Sequence, residues 1–596
     1  MNAQQVYRKL EEAGYERRRS QMLFMEAIWD FLTSDKKILM IEAPTGTGKT
    51  FGYLIPLLLS GRRIIVSTHT KVLEHQLMDD VKRIMEIFGL ERKVGLLKGV
   101  SSYVCKQKLH LAKEELIEGN WEEVQEEARK CNGDLMEINL PPSVVQPFVV
   151  TSREECGSCN LHDCYYITAR DRALDAEVLI TNHHIIAQMP AVIKEADIVV
   201  FDEAHELPDT LVSAQSVDFT ERTIREYVDV EKIDEDDLPE IYGLLKKEVY
   251  PSEVSRAVRE VTKVTSAVSI SRDVATQVQA VLGIAVDRDR ILDEPSAADD
   301  KVIKILRRIV TLRNLLFKMK RYLEDLPGYV RYSEETKSGK RFIRAPLFPE
   351  LFRLTGQTKT ILVSATLERT FMELVLSLDP DDYSYTSIPP EWEYDFKVRV
   401  YDVRPQDGEW SKTLEQAVRD ARQEYDKVMV LVTNVEHLKY VDADLVQGSA
   451  PLTRLIKTFK SRGGVLAGAD VFWKGIDVPG NKAIVMSKLP FPNASDPVHQ
   501  ERCRFLDENY GEKIRWEYVT SWALMKLKQG IGRLKRSKND TGTVYLVDNR
   551  IFNPFFRKFY HVLSRYGKVE KVSPLLHKSL ACLSVSASLL SSFFLF

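Results

Sequence analysis

The chain has 596 residues, of which 44% are hydrophobic and 29% are charged, and its formal net charge is -3 at pH 7. This length is too great for one hydrophobic core and predicts about three or four domains. The near-neutral balance excludes a generally basic protein, so any contact with nucleic acid must come from a local basic surface.

The two ends of the chain and its cysteines indicate the cellular compartment that we expect for the protein. The first 19 residues are polar and have no apolar core, which predicts no secretory leader and a cytosolic setting. Seven cysteines in such a setting are expected to be metal ligands or buried thiols. The uncharged stretch Ser579–Phe596 is a marginal membrane candidate by length, but six of its 18 residues are serines. We expect a disordered tail, or sequence foreign to the fold, rather than an anchor.

Short apolar runs recur along the chain between helical stretches. Such runs are typical of parallel strands that are buried on both faces of a sheet. They fall into two sets, which predicts two α/β domains of similar style. The first set is Ile38–Ile41, Ile64–Ser67, Val178–Ile180, Ile198–Phe201 and Thr360–Ser364, and the second is Val428–Val432, Val465–Ala467, Ala483–Met486 and Thr543–Val547.

The first run leads directly into a glycine-rich segment. Gly46 and Gly48 allow backbone N–H groups to surround phosphate oxygens, and the start of the next helix favours their negative charge. Lys49 can reach the β- and γ-phosphates, and the Thr50 hydroxyl can ligate Mg²⁺. The pattern usually begins with Gly, where this chain has Ala43. The segment Ala43-Pro44-Thr45-Gly46-Thr47-Gly48-Lys49-Thr50 therefore predicts nucleotide binding.

A pair of carboxylates follows the fourth apolar run. Asp202 and Glu203 open the sequence Asp202-Glu203-Ala204-His205 at a predicted strand end, the edge of a parallel sheet where ligands bind. Asp202 can hold Mg²⁺, usually through water, and Glu203 can orient or deprotonate an attacking water molecule. We interpret His205 as a coupling group rather than a catalytic one.

Two further motifs lie later in the chain. Ser364-Ala365-Thr366 stands at a strand end, and Gln529-Gly530-Ile531-Gly532-Arg533-Leu534-Lys535-Arg536 precedes the last apolar run. Arg533 and Arg536 are three residues apart, which predicts one face of a helix. Arginines supplied by a second domain can neutralise charge on a transferred phosphate, so we expect Gln529, Arg533 and Arg536 to act on the nucleotide.

Five cysteines cluster between the second and third apolar runs. Thiolates gathered in a cytosolic protein suit either tetrahedral zinc or an iron–sulfur cluster, and the spacing does not choose between them. The five are Cys105, Cys131, Cys156, Cys159 and Cys164.

Taken together, these motifs resemble those of superfamily 2 helicases with two RecA-like motor domains. The closer resemblance is to the XPD/DinG branch, also called Rad3-like. Arg18 and Gln21 match the element with which that branch contacts adenine. One departure is Trp473-Lys474-Gly475, where the branch usually has Trp-Glu-Gly. The remaining matching segments are Ser67–Leu77, Thr181–His184, Val471–Gly480 and Leu489–Pro492.

The resemblance implies an α/β architecture of two parallel-sheet motor domains, the first carrying two inserts. Motor domain 1 is expected at 1–99, 166–206 and 327–370. Within it, the sequence of 329–346 predicts a hairpin that returns to the sheet. A cysteine-rich insert at 100–165 and a helical arch insert at 207–326 interrupt it. Motor domain 2 is expected at 371–575, and a tail of unassigned role at 576–596.

The resemblance also implies the cofactors. They are ATP, Mg²⁺ and a [4Fe–4S] cluster held by Cys105, Cys156, Cys159 and Cys164, with Cys131 left as a free thiol. Besides Arg18 and Gln21, the nucleotide-binding set comprises Thr45, Gly46, Thr47, Gly48, Lys49, Thr50 and Asp477.

The implied activity is an ATP-dependent DNA helicase that moves 5′→3′ on single-stranded DNA and unwinds duplex. Its partners are single-stranded and forked DNA, with no membrane. Phosphate contacts are expected from the Thr68–Thr70 and Gly475–Asp477 regions. Two alternatives stay open: a nucleic-acid-stimulated ATPase clamp or remodeller that does not unwind, and an RNA helicase. The sequence does not choose among repair, transcription and resolution of unusual DNA structures.

Overall fold

A computed structural model describes most of the chain. The described residues are 3–113, 120–150, 164–223, 269–282, 291–292, 321–336, 339–349, 355–473, 480–535 and 539–573, together with 263, 302, 315, 318, 319, 351 and 478. Several predicted features lie outside them: Cys156, Cys159, residues 474–477, Arg536, the tail and most of the predicted arch.

Nineteen strands are present in the described residues. They are, in chain order, β1 (Ile38–Glu42), β2 (Ile64–Thr68), β3 (Val94–Leu96), β4 (Val178–Asn182), β5 (Ile198–Asp202), β6 (Val217–Thr220), β7 (Ile270–Ser271), β8 (Ile291–Leu292), β9 (Tyr329–Thr336), β10 (Gly339–Pro346), β11 (Lys359–Ser364), β12 (Tyr383–Ser387), β13 (Phe396–Tyr401), β14 (Lys427–Leu431), β15 (Leu445–Val446), β16 (Gly464–Gly468), β17 (Lys482–Met486), β18 (Gly542–Leu546) and β19 (Gly567–Val572).

The α-helices in the described residues connect these strands. They are Ala3–Glu12, Arg19–Thr33, Lys49–Leu59, Lys71–Phe88, Lys106–Lys113, Trp121–Lys130, Pro142–Val145, Tyr165–Leu174, His183–Gln188, Leu207–Gln215, Arg272–Leu282, Arg369–Val375, Trp410–Glu424, Leu452–Arg462, Pro497–Tyr510, Glu512–Ile531 and Arg557–Tyr566. None of the helices in this part of the chain is long and apolar enough to cross a membrane.

The first sheet has seven parallel strands in the order β12-β1-β11-β5-β2-β4-β3. All five predicted runs of the first set are strands of this sheet. Their residues are almost wholly buried because helices cover both faces, with one apolar core on each side. The predicted parallel-sheet architecture of the first domain is confirmed.

The strand β12 corrects the predicted domain boundary. It pairs with β1 through Ile38 and Tyr383, so the first sheet extends beyond residue 370, where motor domain 1 was expected to end. The sequence Tyr-Ser-Tyr-Thr-Ser of β12 is half polar because the strand lies at the sheet edge. It therefore lacks the continuous apolar run by which the central strands were recognised.

The second sheet also has seven parallel strands, in the order β15-β16-β14-β17-β18-β13-β19. The four predicted runs of the second set are β14, β16, β17 and β18. Apolar cores again lie on both faces. Two α/β domains with parallel sheets are therefore present, as predicted.

The predicted hairpin over 329–346 is present as β9 and β10, but it does not return to the first sheet. Instead it joins β6 in a separate antiparallel sheet of order β6-β10-β9. Phe219 of β6 stacks on Phe342 of β10 with ring centroids 5.3 Å apart. The T-shaped contact of Phe219 with Tyr322, with ring centroids 5.4 Å apart, attaches this sheet to the segment before β9.

The described part of the cysteine insert has a small core of its own. Helices 106–113 and 121–130 pack with the segment 142–149 around Val104, Leu109, Val124 and Phe148. Hydrogen bonds from the Val104 N–H to the Gly133 carbonyl and from the Cys105 N–H to the Phe148 carbonyl tie its ends together.

The register of the first sheet brings three polar strand ends to one edge. Glu42 of β1 is paired with Ser364 of β11, and Val363 of β11 is paired with Asp202 of β5. Because carboxyl ends of parallel strands share an edge, the segments that follow these strands converge there.

Candidate functional site

The glycine-rich segment forms a tight loop between β1 and helix 49–59. Gly46 and Gly48 have φ of +87° and +76°, the left-handed region that glycine adopts without strain. A Cβ on Gly48 would lie 2.3 Å from the Gln21 amide nitrogen, so a larger residue would displace that side chain. Gly48 directly precedes Lys49, the first residue of the helix. The arrangement is a strand, an anion-binding loop and a helix N-terminus.

Arg18 and Gln21 lie beside this loop. Arg18 Nη1 donates to the Gly46 carbonyl at 3.0 Å, and Gln21 Nε2 donates to the Gly48 carbonyl at 3.0 Å. The Tyr7 hydroxyl donates to Gln21 Oε1 at 3.2 Å and fixes the orientation of the amide. The two predicted adenine-contacting residues therefore hold the loop, and their role toward the base stays a prediction.

Trp392, in the segment between the two sheets, covers the loop and was not predicted from the sequence. Its ring would lie 2.3 Å from a Cβ on Gly46, and the Arg18 guanidinium lies 5.6 Å from the ring centroid. The neighbouring Glu391 accepts hydrogen bonds from the backbone N–H groups of Arg19 and Ser20 at 3.3 and 2.8 Å. A tryptophan in a connecting segment has no local pattern that predicts this long-range contact.

The predicted carboxylate pair faces the loop. Lys49 Nζ lies 3.8 Å from Glu203 Oε1, and the Tyr53 hydroxyl donates to Asp202 Oδ2 at 3.0 Å. Glu203 has φ of +54°, which is uncommon for a residue with a side chain and turns the carboxylate toward Lys49. The structure therefore brings together Lys49, Asp202 and Glu203 as the sequence predicts.

Burial is the main influence on Asp202. Burial and, after it, the neighbouring carboxylate of Glu203 raise the pKa of Asp202 to about 6, although Lys49 lowers it. A carboxylate in this setting gains from a nearby cation, because the charged form is otherwise poorly solvated. Among the described residues, no three His, Cys, Asp or Glu side chains are grouped to hold a metal. Mg²⁺ bound with nucleotide phosphates needs only one or two protein ligands, so Asp202 and Thr50 fit that ion.

His205 connects the Asp202–Glu203 segment to β11. Its Nδ1 lies 2.7 Å from the Ser364 hydroxyl and 3.4 Å from Glu203 Oε2, and its Nε2 lies 3.1 Å from Glu206 Oε1. The Thr366 N–H donates to the same Ser364 hydroxyl at 3.1 Å. The imidazole thus contacts both the Asp202–Glu203 segment and the Ser364–Thr366 motif. These contacts support the interpretation of His205 as a coupling group.

The Gln529–Arg536 segment differs from the helix that was predicted. Helix 512–531 ends at Ile531, so Arg533 lies in the turn beyond it, and the predicted shared helix face with Arg536 is wrong for Arg533. Gly530 and Gly532 explain the early end, because glycine destabilises a helix. Arg533 Nη2 donates to the Trp473 carbonyl at 2.6 Å, within its own domain.

Gln529 is 6% exposed, and neither atom of its amide has a hydrogen-bond partner in the described part of the chain. An unsatisfied buried amide costs about 1–3 kcal/mol, which points to a polar ligand or water at this place.

The two domains touch at the glycine-rich loop. The Thr45 hydroxyl donates to the Lys535 carbonyl at 2.7 Å, and Lys528 Nζ lies 2.7 Å from Glu42 Oε1 and 2.6 Å from Glu368 Oε1. The predicted nucleotide-contacting segment of the second domain therefore lies against the loop of the first.

Two of the four predicted cluster ligands, Cys105 and Cys164, lie in the described residues. Cys164 directly precedes helix 165–174, and Cys105 precedes helix 106–113. Burial raises the pKa of Cys105, and the Cys164 thiol is near enough to raise it further. Cys131, by contrast, donates its thiol hydrogen to the Glu127 carbonyl at 3.3 Å. Cys156 and Cys159 lie outside the described residues, so the complete ligand set stays a prediction.

A second surface lies away from the loop, between the two domains and the three-stranded sheet. It encloses an open cavity of about 870 Å³. The lining side chains come from both domains and include His184, Tyr332, Thr433, Phe491, Asn493 and Trp522. None of the glycine-rich loop lines it.

The residues that are expected to contact DNA phosphates differ in how exposed they are. The Thr68 side chain is fully buried, whereas His69 and Thr70 are exposed, and Thr70 caps helix 71–88. The partner region at 475–477, including Asp477, lies outside the described residues.

Three family models match the chain. A helicase C-terminal domain matches residues 408–565, a DEAD/DEAH box helicase model matches 21–135, and the model called DEAD_2 matches 121–224. These ranges contain the glycine-rich loop, the carboxylate pair and the Gln529 segment. Together with the similar proteins described below, these matches support an XPD/DinG-like helicase of superfamily 2. The family resemblance found in the sequence is therefore confirmed.

Curated relatives in this helicase family match over most of their length. The ATP-dependent DNA helicase YoaA of Haemophilus influenzae is 27% identical over 90% of this chain and 92% of the relative. YoaA of Escherichia coli K12 is 24% identical over 86% of this chain and 88% of the relative. The protein named 3′-5′ exonuclease DinG of Bacillus subtilis is 24% identical over 90% of this chain and 69% of the relative.

Solved helicase structures share the fold. One titled XPD_Helicase aligns with a TM-score of 0.59 and 16% identity over 94% of this chain and 100% of its own. S. tokodaii Xpd4 aligns with a TM-score of 0.52 and 14% identity over 93% of this chain and 100% of its own.

Proposed function

We propose that this helicase-family enzyme is an ATP-dependent DNA helicase that moves 5′→3′ on single-stranded DNA and separates duplex strands. The observation that carries the proposal is the contact across the cleft, where Thr45 of the glycine-rich loop bonds to Lys535 of the second domain. A phosphate held by the loop would lie beside both domains, so its cleavage would change how they meet. The polarity rests on the family resemblance.

Each predicted catalytic residue has a role in ATP hydrolysis. Lys49, at the start of helix 49–59, would bind the β- and γ-phosphates. Glu203, 3.8 Å from Lys49, would accept a proton from the attacking water. Asp202 and Thr50 would hold Mg²⁺, which when bound neutralises phosphate charge.

The second domain would contribute Gln529, Arg533 and Arg536. The unsatisfied buried amide of Gln529 suits a hydrogen bond to the γ-phosphate or to the attacking water. Arg533 would exchange the Trp473 carbonyl for the phosphate, because a charged oxygen is the stronger acceptor. Arg536 and Asp477 keep the nucleotide-contacting roles that the family resemblance implies.

The nucleic acid would cross both domains at the interdomain cavity. This surface has Tyr332, Phe491 and Trp522 for stacking on bases, and exposed His69 and Thr70 lie on the same domain as its wall residue His184. Stacking tolerates any base and contributes about 1–3 kcal/mol per base, which suits a motor that must move on any sequence.

The proposed cluster insert spans residues 100–165. Cys105, Cys156, Cys159 and Cys164 would hold a [4Fe–4S] cluster, and the rise that Cys164 causes in the pKa of Cys105 supports a shared site. When bound, such a cluster supplies a rigid link between distant parts of a loop-rich insert. We propose that the arch spans 207–326, as predicted, and that the second motor domain begins after β12 rather than at residue 371.

Strand displacement on a 5′-tailed DNA duplex tests the proposal. We expect ATP-dependent displacement of the 5′-tailed substrate and none of the 3′-tailed or blunt one. A chain that hydrolyses ATP when single-stranded DNA is added, yet separates no duplex, would instead be a clamp or remodeller. ATPase stimulation by RNA but not by DNA would favour an RNA helicase.

A further inference from the structure

A largely buried cluster of three charged side chains joins the two motor domains. Lys528 of helix 512–531 lies between Glu42, the last residue of β1, and Glu368, just before helix 369–375. The three side chains are 12%, 13% and 18% exposed, respectively. The Tyr385 hydroxyl of β12 donates to the second oxygen of Glu42 at 2.7 Å. The carboxylates thus belong to the first domain and the ammonium to the second.

The cluster lies next to two segments assigned to the nucleotide site and next to the Ser364–Thr366 motif. Glu42 directly precedes Ala43 and the glycine-rich loop, Glu368 follows Thr366 by two residues, and Lys528 directly precedes Gln529. On the other side, Thr45 bonds to Lys535. The segment from Gln529 to Arg533 is therefore held against the loop at both of its ends.

The charge state of the cluster suits a reversible contact. Burial alone would lower the pKa of Lys528, but Glu368 and Glu42 outweigh it and the pKa is raised, so Lys528 keeps its charge. Burial raises the pKa of Glu368, which Lys528 opposes. Desolvation of a buried ion pair offsets much of its attraction, so the pair gives a defined geometry with little net stabilisation. Such a contact can form and break in each cycle of ATP binding and hydrolysis.

We propose that Lys528 is a positioning residue for ATP hydrolysis, which places Gln529 and Arg533 against the γ-phosphate by binding Glu42 and Glu368 across the cleft. This inference rests on the proposed function, because it names how the second domain recognises the third phosphate. Lys528 itself need not touch the nucleotide. Its loss should therefore weaken recognition of ATP while leaving recognition of ADP.

Equilibrium binding of fluorescent ADP and of a fluorescent non-hydrolysable ATP analogue tests this inference on the full chain. We expect Lys528→Met to weaken binding of the ATP analogue about tenfold and binding of ADP less than twofold, since only the analogue has the γ-phosphate. Lys528→Arg, which keeps the charge, should restore at least half of the lost preference. Lys513→Met is the matched control, because Lys513 is exposed on the first turn of the same helix.

A triple variant separates positioning from stability. Lys528→Met leaves two buried carboxylates without their cation and is expected to lower the melting temperature. Lys528→Met with Glu42→Gln and Glu368→Gln removes all three charges, so the melting temperature should recover while the preference for the ATP analogue does not. Recovery of both the melting temperature and the nucleotide preference in the triple variant would overturn the inference. So would equally weakened binding of ADP and the ATP analogue in Lys528→Met, or an unchanged preference in that variant.

The wild-type chain provides the independent check of the proposed function. If it displaces strands while Lys528→Met keeps the normal nucleotide preference, the inference alone fails. If it displaces no strands but Lys528→Met loses the preference for the ATP analogue, the helicase proposal fails and the positioning role stands. A wild-type chain that binds neither nucleotide would overturn both.

Discussion

The imidazole Nδ1 of His205 lies 2.7 Å from the hydroxyl of Ser364, and this contact joins the carboxylate motif to the Ser364–Thr366 motif. Ser364 also accepts the Thr366 N–H at 3.1 Å. Glu203 Oε2 lies 3.4 Å from the same imidazole nitrogen. A shift of Glu203 during ATP hydrolysis would therefore be transmitted through His205 to the end of β11.

The first prediction concerns this contact. Ser364→Ala removes the hydroxyl but no proposed catalytic group, so DNA-stimulated ATP hydrolysis should stay within about threefold of wild type. Strand displacement should fall at least tenfold, because hydrolysis would no longer be transmitted. Rates of phosphate release and of displacement are measured on the same preparation. Ser384→Ala, on the edge strand β12, is the control, and a parallel loss of both activities would contradict the coupling role.

The second prediction concerns Lys49. Lys49→Ala should lower ATP hydrolysis at least a hundredfold, because the phosphate charge loses its lysine partner at the loop. Affinity for single-stranded DNA, measured without nucleotide by fluorescence anisotropy, should stay within about threefold. Lys412→Ala, an exposed lysine of helix 410–424, should leave both unchanged. Retained strand displacement in Lys49→Ala would refute the motor assignment.

The third prediction concerns stability at low pH. Burial lowers the pKa of His183 to about 3, and its Nδ1 lies 2.8 Å from the Ser67 hydroxyl. The unfolded chain takes up this proton near pH 6.5, whereas the folded chain does not until about pH 3. Below pH 6.5 the unfolded state therefore binds more protons, and stability falls by up to about 1.4 kcal/mol per pH unit from this group.

Melting temperatures at pH 7.5 and pH 5.0 measure this effect. His183→Gln should show a smaller loss between the two pH values than wild type, since it removes the buried titrating group. His184→Gln changes the exposed neighbour and should keep the wild-type difference. An equal loss in His183→Gln and wild type would show that His183 does not titrate as its burial requires.

The fourth prediction concerns the cysteine insert. Anaerobically purified wild type should contain about four iron and four sulfide per chain, and Cys164→Ser should lose both. Cys131→Ser should retain them, because its thiol already bonds to the Glu127 carbonyl. Zinc in place of iron would refute the cluster, and loss of iron in Cys131→Ser would refute the ligand assignment.

Most central strands of both sheets could be predicted because each is buried on both faces and therefore reads as a continuous apolar run. The central strand β13 was missed because Lys397 and Arg399 interrupt its apolar residues. The edge strands β12 and β19 were missed because one side of each is open, and their sequences are partly polar. The hairpin at 329–346 was predicted by its turn, but its sheet was not, since the partner β6 lies more than a hundred residues earlier.

The candidate site divides in the same way. Lys49, Asp202 and Glu203 could be predicted because the chemistry of the loop and of the strand end is local. Lys528 and Trp392 could not, because each acts through a partner that is distant in sequence. Lys528 had one local indication: it lies on helix 512–531 beside buried residues such as Leu524 and Leu527, where a lysine needs a partner.

The most direct test of the account is ATP-driven strand displacement by the anaerobically purified wild-type chain on paired substrates with a 5′ or a 3′ single-stranded tail. We predict that the 5′-tailed duplex is separated only when ATP and Mg²⁺ are present, and that the 3′-tailed duplex stays intact. ATP hydrolysis with neither duplex separated, or separation without nucleotide, would contradict a motor driven by the shared nucleotide site.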